Sequence, residues 1–263
     1  MFLITGAARG IGAATAELVL RGGHRAVVCD VDLGGAESLC GRLGESAQAV
    51  ALDVRDPENW ERALDQAWER FGGVDVLVNN AGLIRSGWLR EQSLEEIEHM
   101  IDVNLLGLIK GVRAAVPRFV LQGHGHVITV GSLASFSHLK GQVVYAASKH
   151  AVRAFHHGVA LESEHLPVTF SLVCPGAVDT GMLRDQVGHD SNAVSFASRA
   201  LTPQQVAEAI YSAAEERPAE ILLPRIQGKA LRFAGVLPGV VRMISRQAER
   251  QGLRALKRLR GQG

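Results

Sequence analysis

Short apolar runs alternate along the chain with longer segments in which apolar residues recur at helical spacing. The runs predict seven strands, at about 2–5, 25–30, 49–52, 74–78, 127–130, 168–173 and 220–223. The longest predicted helices cover about 93–121 and 143–165, and Pro117 predicts a kink or an early end in the first of them. Asp56 and Pro57 predict the cap and the first turn of another helix.

Several of these runs are apolar on both sides, which is typical of parallel strands covered by helices on each face. The chain has 263 residues, enough for one sizeable α/β domain but short for two. The pattern therefore predicts a single-domain α/β fold with a doubly wound (Rossmann) parallel sheet of about seven strands. In such folds the ligand crevice lies beyond the carboxyl ends of the strands.

Charge and cysteine content exclude several classes of function and site. The net charge of +1 predicts no bulk affinity for nucleic acid, and three scattered cysteines suit neither a disulfide framework nor a metal cluster. The histidines show no metal-ligand spacing, so we expect no metal. The start of the chain lacks the pattern of a secretory signal, and no window offers about 18 uninterrupted apolar residues, so we expect a cytoplasmic protein.

The segment that joins the first strand to the first helix is rich in glycine and reads Thr5-Gly6-Ala7-Ala8-Arg9-Gly10-Ile11-Gly12. Gly6 permits a sharp turn, Gly10 lets the backbone approach a pyrophosphate, and Gly12 lets the helix pack closely on the strand. The helix N-terminus then offers free N–H groups to phosphates. Asp30 closes the second strand twenty residues beyond Gly10, a placement that makes dinucleotide binding a strong prediction.

Asp30 also bears on the choice of dinucleotide. A carboxylate there accepts hydrogen bonds from the adenosine ribose hydroxyls and repels a 2′-phosphate. The guanidinium of Arg9 favours the opposite choice, since it could bind that phosphate. Because the end of the strand faces the ribose directly, we expect NAD to be favoured over NADP, with NADP left open.

Tyr145 and Lys149 lie four residues apart, so a helix places them on one face. A nearby ammonium, together with oxidised nicotinamide, would lower the tyrosine pKa from about 10 toward the range useful for proton transfer. Tyrosine occurs only at positions 145 and 211, and Ser132 closes the preceding strand at the crevice. These features favour the Tyr145–Lys149 pair as a candidate site of proton transfer over an ordinary pair on a solvated helix face.

In order along the chain, these motifs resemble those of the short-chain dehydrogenase/reductase family, in its compact single-domain subgroup. The resemblance covers about residues 2–182. Its motifs are Thr5-Gly6-x-x-x-Gly10-Ile11-Gly12, Asp53, Asn79-Asn80-Ala81-Gly82, Asn104, Ser132, Tyr145 with Lys149, and Pro175-Gly176.

The resemblance implies a role for each catalytic residue. Ser132 would orient the substrate oxygen, and Tyr145 would exchange the proton with it while hydride moves to or from nicotinamide. Lys149 would hold the nicotinamide ribose and depress the pKa of Tyr145. Asn104 would fix a water that links Lys149 to solvent. Further residues would line the dinucleotide: Asp53 and Val54 at adenine, Asn80, Ala81 and Gly82 at the ribose and crevice, and Pro175, Gly176, Val178 and Thr180 at nicotinamide.

The end of the chain departs from the family pattern. Residues 225–263 contain ten basic residues and one acidic, a net charge of +9, so the preceding 224 residues carry −8. We expect residues 1–224 to form the catalytic domain and 225–263 a basic amphipathic helical tail, in which Pro238 favours the start of a helix and Gly252 favours a break. The tail could lie on an anionic membrane surface, or could pack on the domain with its arginines solvated. It also favours a homodimer over the tetramer common in the family.

Residues 181–201 follow Thr180 and should cover the substrate. Their apolar members predict a lid suited to a lipophilic secondary alcohol or ketone. Two alternatives remain at this stage, an NADPH-dependent 3-oxoacyl reductase and a non-catalytic dinucleotide-binding sensor. The intact Ser132, Tyr145, Lys149 and Asn104 set favours the enzyme, since a sensor does not need all four.

Overall fold

The computed structural model describes residues 1–235 and 237–261. Seven parallel strands form one sheet in the order β3-β2-β1-β4-β5-β6-β7. The strands are β1 Phe2–Thr5, β2 Ala26–Asp30, β3 Ala47–Ala51, β4 Val76–Asn79, β5 Gly125–Val130, β6 Val168–Pro175 and β7 Glu220–Leu223. The doubly wound sheet predicted from the apolar runs is confirmed.

Helices cover both faces of the sheet. They are α1 Gly10–Arg21, α2 Leu33–Leu43, α3 Pro57–Phe71, α4 Leu94–Ile101, α5 Leu108–Gln122, α6 Val143–Glu162, α7 Gly181–Arg184, α8 Pro203–Glu216, α9 Arg225–Ala234 and α10 Pro238–Arg260. Strands β1, β4 and β5 are buried along their whole length, which explains their continuous apolar character. Trp60, Leu64 and Phe119 fill the core on one face, and Val19 and Ile210 on the other.

The strand order reverses between β1 and β4, because the chain crosses from β3 back to β4 on the far side of β1. The loops that leave the carboxyl ends of these two strands therefore diverge and open a crevice. Asp56 caps α3 by accepting a hydrogen bond from the Glu58 N–H, with Pro57 in the first turn, as predicted.

Two helix predictions need correction. The single helix expected over 93–121 is divided by a π-helical turn, Asp102–Gly107, which separates α4 from α5. Pro117 does not end α5, which continues to Gln122.

The basic tail forms two helices that pack on the rest of the chain. Gly228 of α9 lies against Leu222 and Leu133, and Val241 and Leu256 of α10 are buried. Helix α10 begins at Pro238 as predicted, but it continues through Gly252 without interruption, and a separate helix, α9, precedes it. The division into a catalytic domain and a tail stays a prediction. In the described part of the chain, no helix is both long enough and apolar enough to cross a bilayer.

Candidate active site

The phosphate-loop sequence forms a tight turn between β1 and α1. Gly6 and Gly10 have φ angles of 62° and 61°, which other residues rarely adopt. A Cβ atom on Gly12 would lie 2.4 Å from the Gly6 carbonyl oxygen, so only glycine lets α1 start this close to the loop. Over the described residues, no side chain caps the N-terminus of α1, and Ile11 is half-buried in its first turn. The helix end therefore keeps the anion-binding character expected of a pyrophosphate site.

The loop is fastened to the end of β4. The Asn80 side-chain nitrogen donates to the Thr5 and Gly6 carbonyl oxygens at 2.8 and 3.0 Å. In return the Thr5 hydroxyl oxygen accepts from the backbone N–H groups of Asn80 and Ala81, both at 3.0 Å. Asn80 and Ala81 thus stand beside the glycine loop, across the switch point of the sheet.

Asp30 lies at the end of β2 beside this loop. Its carboxylate accepts from the Ala8 N–H at 2.9 Å and from the Asp32 N–H at 3.0 Å, which fixes its position at the edge of the crevice. Arg9 is exposed at the N-cap position of α1. Both groups that bear on cofactor choice thus lie at the same turn.

The residues expected at adenine follow β3. Arg55 binds the Asp53 carboxylate through its guanidinium, at 2.6 Å, and through its backbone N–H, at 2.9 Å. The side-chain hydrogen bond from Arg55 is the largest influence on the Asp53 carboxyl and lowers its pKa. Val54 is buried and lies against Gly107 in the π-helical turn.

Ser132, Tyr145 and Lys149 come together at the carboxyl end of β5. Ser132 follows that strand, and its hydroxyl oxygen accepts from the Ala134 N–H at 3.1 Å. The Lys149 ammonium is buried, donates to the Val130 carbonyl oxygen at 3.1 Å, and lies 5.9 Å from the centre of the Tyr145 ring. The Ser135 hydroxyl donates to the Lys149 carbonyl oxygen at 2.8 Å and joins α6 to the turn after β5.

The pKa shifts at this site differ from the simple expectation. Burial raises the pKa of Tyr145; the Ser132 hydroxyl, which can donate to the phenolate, lowers it, and Cys174 raises it further. Burial also lowers the pKa of Lys149 to about 8. Within the chain, the largest effect on the Tyr145 pKa is thus the loss of water around the phenol, and not the neighbouring Lys149 ammonium.

Asn104 lies on the π-helical turn and reaches toward Lys149. Its side-chain oxygen accepts from the Leu83 N–H at 2.8 Å, and its nitrogen donates to the Leu83 carbonyl at 2.9 Å and to the Ser148 hydroxyl at 3.2 Å. A Cβ atom on Gly82 would lie 3.3 Å from the Asn104 side-chain oxygen and 3.8 Å from the Lys149 nitrogen. Gly82 thus leaves the space between these two polar groups open.

The segment after β6 closes the other side of the crevice. Pro175 ends the strand, and Gly176 donates to the Leu223 carbonyl oxygen at 2.7 Å. Val178 pairs with Leu201, and the Thr180 methyl group lies 3.4 Å from where a Cβ atom on Gly10 would be. Thr180 therefore faces the phosphate loop directly.

The segment 181–201, which the sequence predicts to be a lid, packs against α10. It contains α7 and a 3₁₀ turn, Asp190–Phe196. A cleft of about 260 Å³ opens between this turn and residues 86–96, and its lining includes Ser86, Trp88, Glu91 and His189.

Several residues that hold the site residues in place or lie behind them were not identified from the sequence. Ser148 holds the Asn104 amide, and the Thr5 hydroxyl holds the Asn80 loop. Thr5 opens the glycine motif and Ser148 lies between Tyr145 and Lys149, but nothing in the sequence shows what their side chains contact. Cys174 is buried behind Ser132, where burial raises its pKa to about 12. Its isolated position in the sequence gave no signal of that location.

Comparisons with known proteins agree with this arrangement. The profile of the family described as short chain dehydrogenase matches residues 1–191. A 3-oxoacyl-[acyl-carrier-protein] reductase of Vibrio cholerae is 34% identical over 211 residues, which cover 79% of this chain and 86% of the relative. A 3-alpha-(or 20-beta)-hydroxysteroid dehydrogenase of Mycobacterium tuberculosis is 33% identical over 215 residues, which cover 81% of this chain and 82% of that protein.

Two solved structures extend the comparison to three dimensions. A short chain dehydrogenase/reductase from Burkholderia phymatum in complex with NAD superposes with a TM-score of 0.81 at 28% identity, over 89% of this chain and 92% of the other. A 3-ketoacyl-(acyl-carrier-protein) reductase from Brucella melitensis complexed with NADH gives 0.77 at 27% identity, over 84% and 96%. Both fold and sequence therefore indicate an oxidoreductase that binds a nicotinamide dinucleotide. The chain belongs to the short-chain dehydrogenase/reductase family, as its ordered motifs predicted.

Proposed function

We propose that this protein interconverts a lipophilic secondary alcohol and its ketone, with NAD as the preferred dinucleotide and Tyr145 as the proton donor and acceptor. The observation that carries the proposal is the meeting of Ser132, Tyr145 and the buried Lys149 at the crevice edge of β5. Bound nicotinamide dinucleotide supplies or accepts the hydride. The chain's own residues orient the substrate and move the proton.

Each side chain has a role that follows from its surroundings. Ser132 orients the substrate oxygen, since its hydroxyl stands at the end of β5. Tyr145, whose pKa is raised by burial, keeps its proton at neutral pH and can give it to the oxygen of a ketone under reduction. In the oxidative direction the Lys149 ammonium, with a pKa of about 8, and a cationic nicotinamide favour the phenolate that accepts the proton.

Asn104 and Lys149 form the outer part of a proton relay in this proposal. The open space beside Gly82 separates the Asn104 side-chain oxygen from the Lys149 nitrogen, and a water there could contact both. Asn104 is held by Leu83 and Ser148, so its amide has one fixed orientation toward that space. This arrangement supports the assignment of Asn104 to the proton path.

The site fits a dinucleotide through its own geometry. A side chain at Gly12 would overlap the loop, and the Asp30 carboxylate is held at the crevice edge by two N–H groups. A fixed negative charge there disfavours a 2′-phosphate, which supports NAD over NADP. We assign Asp53 and Val54 to the adenine side of the crevice, and residues 175–180 to nicotinamide. We assign Arg9 to a further contact with the dinucleotide.

Cofactor choice is tested by replacing Asp30 with Ala and with Asn. We expect D30A to raise affinity for NADP relative to NAD, and D30N, which keeps an acceptor oxygen but loses the charge, to move the ratio the same way. Fluorescence titration of both dinucleotides measures the ratio. An unchanged ratio in both variants would remove the reason for preferring NAD.

The second candidate is a 3-oxoacyl reductase that uses NADPH. Sequence similarity to reductases of that name from Vibrio cholerae and Escherichia coli, each 34% identical, favours it. A lipophilic alcohol or ketone as substrate is supported by Met182, Leu183 and Val187 in the lid segment and by the similarity to a hydroxysteroid dehydrogenase. Turnover of acyl thioesters with NADPH, measured beside steroid and other secondary alcohols with NAD, separates the two.

The proton-transfer role is tested by Tyr145→Phe, with Tyr211→Phe as the matched control. Tyr211 contacts His24 at 3.1 Å and is remote from the crevice. We expect Y145F to bind dinucleotide normally but to lose about 10²- to 10⁴-fold in turnover, the usual contribution of a general acid or base. Y211F should keep its turnover. Retained turnover in Y145F would refute the role, and a sensor would show dinucleotide binding with no turnover in any variant.

The homodimer favoured by the sequence remains a proposal. Analytical ultracentrifugation of the full chain would distinguish it from a tetramer or a monomer.

A further inference from the structure

The outward face of α9 carries large apolar side chains in water. Ile226 is 87% exposed and Phe233, seven residues later, is 75% exposed, while Gly228 and Ala234 are buried on the inner side. Leu237 and Met243, which follow along the chain, are 58% and 64% exposed. A helix that packs its small residues inward and directs isoleucine and phenylalanine to solvent has an unpartnered apolar surface.

Exposed basic side chains lie on the same two helices as these apolar groups. Five exposed arginines recur every four residues along the outer side of α10: Arg242, Arg246, Arg250, Arg254 and Arg258. Arg225 and Lys229 are exposed on α9. The solvent-exposed residues of α9 and α10 therefore include both positive charges and large apolar side chains.

The positive charge of this surface is largely unopposed. Glu249, the single acidic residue among 225–263, is paired with Lys140 at 2.7 Å, and Arg232 and Arg260 are paired with Glu220 and Asp190. Within the described ranges 1–235 and 237–261, the other eight basic residues of the tail have no carboxylate at salt-bridge distance. Those eight charges are available to an anionic surface.

The inner side of α10 is fixed to the body of the protein. A Cβ atom on Gly252 would lie only 1.6 Å from the Ala193 carbonyl oxygen, and Leu256 is fully buried. The Arg260 side chain donates to the Val187 carbonyl oxygen and to Asp190, both at 2.8 Å. A surface that binds the outer side of α10 would therefore hold the whole protein, at the face where residues 181–201 lie.

We propose that α9 and α10 dock this protein on an anionic membrane surface. Ile226 and Phe233 enter the interface between headgroups and acyl chains, and the arginines of α10 bind the anionic headgroups. Basic charge with a few large apolar side chains is the combination that holds interfacial helices on such bilayers. An acidic soluble protein could satisfy the arginines but would leave the purpose of the exposed Ile226 and Phe233 unexplained, so the membrane is favoured. The proposal does not depend on the assigned chemistry, because docking requires no turnover.

The test is co-sedimentation of the full-length protein with vesicles of phosphatidylcholine alone or of equal parts phosphatidylglycerol and phosphatidylcholine. Two variants separate the contributions: an anchor variant, Ile226→Ser with Phe233→Ser, and a charge variant, Arg242→Gln with Arg246→Gln and Arg250→Gln. Matched controls change similarly exposed residues elsewhere: Leu121→Ser with Leu161→Ser, and Arg21→Gln with Arg62→Gln and Arg70→Gln. Dinucleotide titration of every variant shows that each remains folded.

We expect the wild type to bind the anionic vesicles and not the neutral ones. The anchor and charge variants should each partition at least tenfold more weakly, while both controls bind as the wild type does. Failure of the wild type to bind anionic vesicles would overturn the proposal. So would equal losses in the controls. Binding that the anchor variant keeps in full would show that charge alone acts, which would point to an acidic macromolecule instead.

Discussion

Asn80 is expected to be the residue that holds the dinucleotide loop in its binding conformation. Its half-buried side chain donates two hydrogen bonds, to the Thr5 carbonyl at 2.8 Å and the Gly6 carbonyl at 3.0 Å. Both partners accept only, so the amide nitrogen must face them. Replacing Asn80 with Ala removes both bonds and leaves two carbonyl groups of the loop without that donor.

The loss of these two hydrogen bonds sets the expected decrease in the free energy of unfolding. A hydrogen bond contributes a net 0.5–1.5 kcal/mol or so, so Asn80→Ala should lower the free energy of unfolding by about 1 to 3 kcal/mol. For a chain of this size, about 2–4 °C per kcal/mol then predicts a melting temperature lower by about 2 to 12 °C. Dinucleotide affinity should fall as well, because the loop must be ordered again on binding.

Asn80→Asp sharpens the prediction, because aspartate has nearly the same shape. A carboxylate oxygen would replace the donor and face the same two carbonyl oxygens, so it should be worse than alanine in both stability and affinity. The control is Asn59→Ala on α3, since Asn59 is also half-buried but bonds to Asp56 away from the loop.

Differential scanning calorimetry with and without NAD, together with isothermal titration of NAD, measures both effects. Asn59→Ala should leave NAD affinity unchanged. An unaltered melting temperature in Asn80→Ala, or an aspartate variant more stable than the alanine variant, would refute the reasoning.

One further prediction concerns stability toward acid, and another concerns the support that α10 gives to the lid segment. Burial lowers the pKa of His126 to about 4 and of His156 to about 3, so below pH 6.5 the unfolded chain binds protons that the folded protein does not. The free energy of unfolding should therefore fall by about 1.4 kcal/mol per pH unit for each histidine between pH 6.5 and about 4. His126→Gln and His156→Gln should each make that slope shallower in urea titrations, and an unchanged slope would contradict the argument. Separately, Gly252→Ala should push α10 away from Ala193 and raise the KM for the alcohol while NAD affinity stays constant. Gly239→Ala, at the exposed start of the same helix with no atom near its Cβ position, should change neither, and equal KM values in the two variants would show that α10 does not support the lid.

The sequence alone determined the architecture and predicted which groups react. Strands β1, β4 and β5 are buried on both faces, so their apolar runs are continuous and visible without coordinates. The glycine pattern before α1 reflects steric limits that act within a few residues. Tyr145 and Lys149 share a helix face by spacing alone. These features depend on local geometry, which the order of residues specifies directly.

The tertiary structure decided what depends on contacts between distant segments. The pKa of Tyr145 is raised, because burial of the phenol has a larger effect than the hydrogen bond of the Ser132 hydroxyl, which lowers that pKa. The π-helical turn that aims Asn104 at Leu83 and Ser148 interrupts a sequence whose period looked continuous. Helix α10 runs unbroken through Gly252, because that glycine is where the helix meets the Ala193 backbone and not where it ends. Sequence periodicity records which side of an element is buried, but only packing fixes what it is buried against.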